Sequence, residues 1–182
     1  GLKYRGVTPT GALPNSVDFP LYKQTEPDEF KVVIFGDPQP NNLSDIDHMA
    51  NDVISERIGT DAAFGMALGD LMADRLDLYK PYNRVMSRLG IPLWNVSGNH
   101  DLNMDVPNDA LSNETWKRVF GPTTYSFDYG LVHFIVLDNI LWRGNSYSGG
   151  FDKRTLRFVE NDLEYVPKEK LVVIAMHAPL FT

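Results

Sequence analysis

Four apolar runs of the sequence each end in polar side chains that can bind a metal ion. The residues in question are Asp37, Asp70, Asn99 with His100, and His177. An apolar run closed by small residues is typical of a buried strand that enters a loop. Because ligands bind at the carboxyl ends of strands in open α/β sheets, we expect these strand ends, as neighbours in one sheet, to converge on one crevice. Carboxylate, amide and imidazole groups together suit hard divalent cations, and an aspartate on a rigid strand end can bridge two of them.

Each of these residues also has a purely structural interpretation. Asp37 or Asp70 alone could cap the N-terminus of a helix. In the stretch Gly98-Asn99-His100-Asp101, the asparagine and the aspartate could make a turn while the histidine is incidental. The recurrence of the pattern at four strand ends favours the chemical interpretation over four independent turns.

The elements that must position these residues alternate between strand and helix, which indicates a layered α/β fold. Apolar runs predict strands at residues 31–35, 62–68, 91–96 and 171–176, and residues 124–128 and 132–138 predict an antiparallel hairpin. The first of these runs has the pattern of a strand covered on both faces. Residues 139–151 are predicted to be a polar, glycine-rich loop.

Helical spacing of apolar residues predicts the intervening helices. The first is expected to begin at Ser44, with Asp47 as its capping-box partner, and to end at Gly59. Three further helices are predicted around residues 78–89, 116–120 and 156–163. The helix around residues 78–89 is expected to end at Gly90. Residues 1–30 show no sustained period, so they are interpreted as an extended lead-in or a linker from an upstream domain, and residues 31–182 as the domain itself. Anchors for this lead-in are expected at Phe19, Leu21 and Tyr22.

Composition excludes several classes of protein. The chain has 182 residues, a formal net charge of −7 and no cysteine. The absence of cysteine excludes disulfides and thiolate metal sites, so any metal must be held by oxygen and imidazole nitrogen. An acidic chain argues against a general nucleic-acid binder, and no apolar run approaches the ~20 residues of a membrane-spanning helix. We therefore expect a soluble protein. The sequence does not indicate its cellular compartment, and an exported protein is one of the alternatives.

Several blocks of the sequence match a known family. Asp37-Pro38-Gln39, Gly69-Asp70 with Asp74, Gly98-Asn99-His100-Asp101 and Met176-His177 resemble, in order and spacing, the signature blocks of the calcineurin-like metallophosphoesterases. The resemblance runs from about Lys31 to the C-terminus. It implies a layered αββα sandwich and a site for two divalent or trivalent metal ions (Mn, Fe, Zn or Mg).

The resemblance also implies roles for individual residues. Asp37 would bind the first metal, Asp70 would bridge both, and Asn99 and His177 would bind the second. His100 would contact the scissile phosphate of a phosphate-ester substrate and assist the leaving oxygen, while a water activated by the two metals attacks phosphorus.

The two remaining acidic residues of these blocks, Asp74 and Asp101, are expected either to orient His100 and the neighbouring loops or to be solvated caps. Asp138 ends the hairpin strand and is expected to help support the site. His48, on a helix, and His133, inside a strand, are interpreted as structural.

The sequence departs from the family pattern in two places. The family has Asp-x-His in the first block, whereas this chain has Gln39 at the histidine position. Its neutral amide oxygen is expected to contact the first metal or a water bound to it. Compared with imidazole, this oxygen should lower the affinity for the first metal or change which metal is preferred. The last block of the family, Gly-His-x-His, does not occur before Thr182. The resemblance therefore implies that these residues are the N-terminal portion of the domain. A further C-terminal segment of the same protein would complete the site and cover an exposed apolar face.

Two classes of function stay open. The first is an enzyme that hydrolyses a phosphate ester, and the second is a non-enzymatic module that binds phosphate or one metal in the same crevice. A P-loop or dinucleotide-binding protein is excluded, because neither glycine pattern follows the first strand. A covalent mechanism is disfavoured by the absence of cysteine and of a Gly-x-Ser-x-Gly elbow. The substrate would be selected by the segments 101–113 and 139–151.

Overall fold

The computed structural model describes residues 15–16, 23 and 25–180, and this part of the chain has a mixed α/β fold. Its strands are β1 (Val32–Phe35), β2 (Phe64–Ala67), β3 (Leu93–Asn95), β4 (Tyr125–Tyr129), β5 (Val132–Val136), β6 (Ile140–Trp142), β7 (Tyr147–Gly149) and β8 (Leu171–Ala175). Its α-helices are α1 (Leu43–His48), α2 (Tyr79–Met86), α3 (Glu114–Phe120) and α4 (Lys153–Leu163). The proposed anchors Phe19, Leu21 and Tyr22 lie outside the described residues.

The strands form three small sheets. β1, β2 and β3 make a parallel sheet in that order. The second sheet has the order β4-β5-β8, with β4 antiparallel and β8 parallel to β5. β6 and β7 form an antiparallel pair of their own. The predicted α/β class and the predicted 124–138 hairpin are therefore confirmed.

The two larger sheets pack face to face through aromatic side chains. Trp94 of β3 stacks on Phe127 of β4 with ring centroids 4.1 Å apart, and Phe64 of β2 meets Phe134 of β5 edge to face at 5.3 Å. Since β3 lies over β4 and β2 over β5, the strand order places β1 over β8. Among the described residues, no strand pairs with the outer edge of either β1 or β8.

Helices cover the other face of the first sheet. Side chains from α1, α2 and α3 share one buried cluster, packed against the strand residues Phe35, Ala67 and Leu93. The buried aromatic members are Tyr79, Tyr82 and Trp116. This packing fixes the sheet whose strand ends carry two of the predicted aspartates.

The first helix begins two residues earlier than its capping box predicted. Asn42, not Ser44, is the N-cap residue, and its Oδ1 accepts a hydrogen bond from the Asp45 amide at 3.0 Å. The Asp45 carboxylate accepts in return from the Asn42 amide group at 3.0 Å. Asn42 and Asp45 have the same three-residue spacing as Ser44 and Asp47, so local spacing alone does not distinguish the two pairs. The α-helical geometry ends at His48 and continues as the π-helical segment Met49–Ile54.

Two further expectations are wrong for reasons of packing. β1 is not covered on both faces, because it is an outer strand and Ile34 is 61% exposed. Residues 139–151 are not an irregular loop, since they contain the β6–β7 hairpin. Ile140 and Trp142 of β6 are buried against the segment around Leu102 and Val106. The two segments predicted to select the substrate are therefore packed together as one unit.

The helix predicted at residues 156–163 is present as α4, but its apolar residues do not all face the core. Leu156 and Leu163 are exposed. On the outer edge of β8, Leu171 and Ile174 are exposed as well. The described part of the chain thus presents apolar side chains on α4 and along a free strand edge.

An ionic network around the buried His133 attaches α4 to the second sheet. His133 on β5 has Nδ1 2.8 Å from Asp128 Oδ1 and Nε2 2.7 Å from Asp162 Oδ2. Both partners are carboxylates, which only accept, so the arrangement favours an imidazolium with two N–H groups. Burial by itself lowers the pKa of His133, but the bonds to Asp162 and Asp128 outweigh it and the pKa lies above its usual value. His133 is therefore structural, as its position inside a strand predicted.

We expect His133→Gln to destabilise the fold by about 1–3 kcal/mol, because it leaves Asp162 without a cationic partner, while Asp128 keeps only Lys170, 2.9 Å away. The folded-state pKa lies above the unfolded value of about 6.5. The stabilisation is therefore complete below pH ~6.5 and is lost as the pH rises through the folded-state pKa. Urea unfolding at several pH values should show the largest deficit of the variant at low pH. His48→Gln, at an exposed helix end, is the control, and an equal deficit there would contradict this role of His133.

Candidate metal centre

Three of the predicted ligands meet at one point. The ligand atoms of Asp37, Asp70 and His177 all lie within 4.8 Å of one another. Asp37 and Asp70 follow β1 and β2 of the first sheet, whereas His177 follows β8 of the second. The expectation that all strand ends belong to one sheet is therefore wrong, because β8 pairs with β5. The site lies across the carboxyl ends of two packed sheets.

The amide side chains predicted as ligands also reach this point. Asn99, in the short 3₁₀ turn Asn99–Asp101 after β3, has Oδ1 3.1 Å from His177 Nε2. Gln39 donates from Nε2 to Asp70 Oδ2 at 2.6 Å. In this arrangement Gln39 presents its nitrogen to the site and holds Asp70 in place. Coordination through its oxygen stays a prediction.

The histidine ring is held in the orientation that a metal ligand needs. His177 Nδ1 lies 2.8 Å from the carbonyl oxygen of Leu68, which only accepts, so Nδ1 carries a proton. Nε2 is left to face the site, 3.3 Å from Asp70 Oδ1. Metal-binding histidines generally donate their second ring N–H to a carbonyl or carboxylate in this way.

The charges of Asp70 and His177 depend on each other. The hydrogen bond to Asp70 raises the pKa of His177 to about 9, although burial opposes the shift. Burial would raise the pKa of Asp70, but the bonds from His177 and from the His100 amide outweigh it and the pKa lies below its usual value. Since histidine must be neutral to bind a metal, a cation competes with this proton and binds more readily as the pH rises.

His100 lies beside the cluster of Asp37, Asp70 and His177, but its ring nitrogens are not among the clustered ligand atoms. Its backbone N–H donates to Asp70 Oδ1 at 2.9 Å. Its ring Nδ1 is 2.8 Å from Asp74 Oδ1, while Nε2 is 4.0 Å from Asp70 Oδ2. The ring is one-third exposed. Asp74 therefore orients the imidazole, and Nε2 is free to meet a group in the crevice.

Asp101 is fully buried and does not touch the His100 ring. Its carboxylate accepts from three backbone amides and from the Tyr79 hydroxyl, the amides being those of Leu71, Met72 and Gly98. Burial raises the pKa of Asp101 to about 7. Of the two predicted supporting aspartates, Asp74 orients His100 and Asp101 joins the loop after β2 to the turn after β3.

Asp138 reaches the site through an intermediate side chain. Its Oδ2 accepts from Asn113 Nδ2 at 2.8 Å, and Asn113 Oδ1 accepts from the Ser97 hydroxyl at 3.2 Å. Ser97 directly precedes Gly98 in the turn after β3. Burial raises the pKa of Asp138 to about 6. Hydrogen bonds through Asn113 and Ser97 thus connect Asp138 to the turn that carries Asn99, which agrees with the expected supporting role.

Backbone strain is concentrated at the candidate centre. Among the described residues, four that are not glycine have a positive φ: Asp37 (41°), Gln39 (40°), Asp70 (51°) and Asp74 (61°). All four belong to the predicted site. Such conformations cost on the order of 1–3 kcal/mol each and tend to cluster where function requires them.

Two glycines allow the strand ends to approach closely. A Cβ atom at Gly98 would overlap Oδ1 and the amide nitrogen of Asp70, and one at Gly69 would overlap the His177 ring. Both glycines precede a predicted ligand in the sequence. Their lack of a side chain is what lets the Asp70, Asn99 and His177 segments share one crevice.

We expect Gly98→Ala to lower the free energy of unfolding by about 1–3 kcal/mol, as overpacking does, and to displace Asp70. Gly36→Ala is a matched control, since a Cβ there meets nothing within 4 Å and its φ is ordinary. Urea unfolding and metal titration of both variants provide the measurement. Equal behaviour of the two variants would contradict the close approach at Gly98.

A scan against models of protein families and a search of curated proteins both return no match for this chain. Among the described residues, none of the helices combines the length and the apolar character that crossing a membrane requires.

Proposed function

We propose that this chain carries metal ligands of a metallophosphoesterase site, which hydrolyses phosphate esters. The observation that carries the proposal is the meeting of Asp37, Asp70 and His177, with the separately held His100 beside them. The proposal includes the layered αββα sandwich of the calcineurin-like family. Support for that architecture comes from helices packed on one sheet, two sheets packed face to face, and α4 attached to the second.

The donor set fits two divalent or trivalent ions such as Mn, Fe, Zn or Mg. Asp37 and Gln39 would hold the first, Asn99 and His177 the second, and Asp70 both. Oxygen donors with one imidazole are the ligands that these ions accept. When bound, such ions neutralise phosphate charge and make a water nucleophilic near neutral pH.

The protein's own contribution to the chemistry is a proton at the leaving oxygen. Asp74 fixes His100 through Nδ1, so Nε2 is the atom that can donate into the crevice. General acid catalysis of this kind is worth about 10²- to 10⁴-fold. Phosphoryl transfer needs mainly positioning and charge neutralisation, which agrees with a site of carboxylates, amides and imidazoles.

A second candidate function is a module that binds phosphate or one metal without turnover. The observation that favours it is the 2.6 Å hydrogen bond from Gln39 to Asp70 Oδ2. In that position Gln39 engages one oxygen of the proposed bridging carboxylate, where the family pattern would supply an imidazole ligand.

Metal binding and hydrolysis, measured together, distinguish the two functions. The chain is titrated with Mn²⁺ and Zn²⁺ by calorimetry. Hydrolysis of bis-p-nitrophenyl phosphate and of p-nitrophenyl phosphate is then followed, both for this chain and for a version extended through a Gly-His-x-His block. Binding of two ions with turnover supports the enzyme. Binding of one ion without turnover in either version supports the module, and no binding of metal overturns the enzyme and the metal-binding form of the module.

A further inference from the structure

Asn139 is a buried polar residue that the predicted site does not include. It is 2% exposed and follows β5 at the point where the chain turns away into β6. Its side chain makes two hydrogen bonds to one residue: Nδ2 donates to the Ala178 carbonyl at 2.6 Å, and Oδ1 accepts from the Ala178 amide at 3.0 Å. Ala178 is the residue directly after His177.

These two bonds continue the pairing of β5 with β8 beyond its last backbone bond. The backbone ladder ends where the Leu137 amide donates to the Ala175 carbonyl at 2.9 Å. Beyond that point the Asn139 amide group takes the place of a neighbouring peptide, donating and accepting as a strand would. Met176 and His177 are therefore held on both sides, at Ala175 by backbone and at Ala178 by Asn139.

Asn139 is itself fixed by the hairpin that follows it. Its carbonyl oxygen accepts from the Gly150 amide at 3.0 Å, and a Cβ at Gly149 would lie 3.3 Å from the Ala178 Cβ. The β6–β7 hairpin and the residue after His177 are thus in contact. The position of Asn139 is determined by packing, so its amide is oriented before any ligand binds.

We infer that Asn139 is a positioning residue for the metal ligand His177. Two restraints place the imidazole: the Leu68 carbonyl sets the ring rotation through Nδ1, and Asn139 sets the direction of the backbone that carries the ring. The inference rests on the proposed function, since it takes His177 to be a ligand. Residues that orient a ligand in this way typically contribute 10- to 100-fold in metal affinity.

The test compares Asn139→Ala with Asn103→Ala. Asn103 is a matched control because it is 1% exposed and also makes two side-chain bonds to one residue, to the amide and the hydroxyl of Thr115. Three readouts are taken on each protein: the affinity for Zn²⁺ by chelator competition, the exchange rate of the Ala178 amide, and the melting temperature without metal.

Both variants should lose stability, but only Asn139→Ala should bind Zn²⁺ 10- to 100-fold more weakly and expose the Ala178 amide to faster exchange. Asn139→Ser, which keeps one hydrogen-bonding group, should give an intermediate loss and serves if the alanine variant does not fold. Equal Zn²⁺ affinity of the Asn139 variants and the parent chain would overturn the positioning role. If the parent and His177→Ala bind Zn²⁺ equally, the proposed metal site itself is wrong, which is a separate outcome.

Discussion

Asp70→Asn should reduce the affinity of this protein for metal ions by more than the 10- to 100-fold that is typical of residues behind the ligands. Asp70 lies among the proposed ligands: it accepts from Gln39, it lies 3.3 Å from His177, and its ligand atom is within 4.8 Å of that of Asp37. Replacing one carboxylate oxygen by an N–H group removes a charge from the centre and presents a donor to the cation. Metal-to-protein ratios after dialysis against a fixed Mn²⁺ or Zn²⁺ concentration measure the effect.

Two comparisons make this experiment specific. Gln39→Ala should deplete bound metal less than Asp70→Asn does, since Gln39 contributes a neutral group. Asp47→Asn makes the same chemical change at an exposed position on α1 and should change nothing. If Asp70→Asn retains its metal, the two-metal model with a bridging aspartate is wrong.

His100→Ala should lower kcat by about 10²- to 10⁴-fold in a metal-loaded protein that hydrolyses phosphate esters. Metal content should stay nearly unchanged, because the ring lies beside the cluster and its Nδ1 is engaged by Asp74. Asp74→Asn should give a smaller loss of kcat, since it changes the group that orients the ring.

The control for this prediction is His48→Ala, an exposed histidine at the end of α1, which should leave kcat unchanged. Loss of metal from His100→Ala would make His100 a ligand instead of an acid. An unchanged kcat with full metal would remove His100 from the chemistry.

The strand ends of the first sheet could be predicted because their signal is local. A short apolar run that stops at Gly36 or Gly69 is visible in the sequence, and the aspartate that follows must then lie at a strand end. Which sheet a strand joins is a different kind of information. β8 pairs with β5 through contacts about 40 residues apart, and nothing in the run 171–176 indicates that partner.

Asn139 shows the same limit at the level of one side chain. In the sequence it is an asparagine after Asp138, in a stretch whose glycines suggested an irregular loop. Its two bonds go to Ala178, 39 residues away, so no local pattern could identify them. Ile140 and Trp142 are apolar residues at the two-residue spacing of a strand, which was the available signal for the hairpin. The glycines around them favoured an irregular loop instead.

The four strained residues Asp37, Gln39, Asp70 and Asp74 have a consequence for how this chain can change in evolution. Glycine adopts a positive φ without steric cost, so glycine at any of these positions would relieve strain and leave the fold easier to form. The same change would delete a carboxylate or an amide from the centre. Selection for folding and selection for chemistry therefore act in opposite directions at these positions, as in other proteins that trade stability for activity. A lineage that no longer needed the chemistry would be free to accept glycine there.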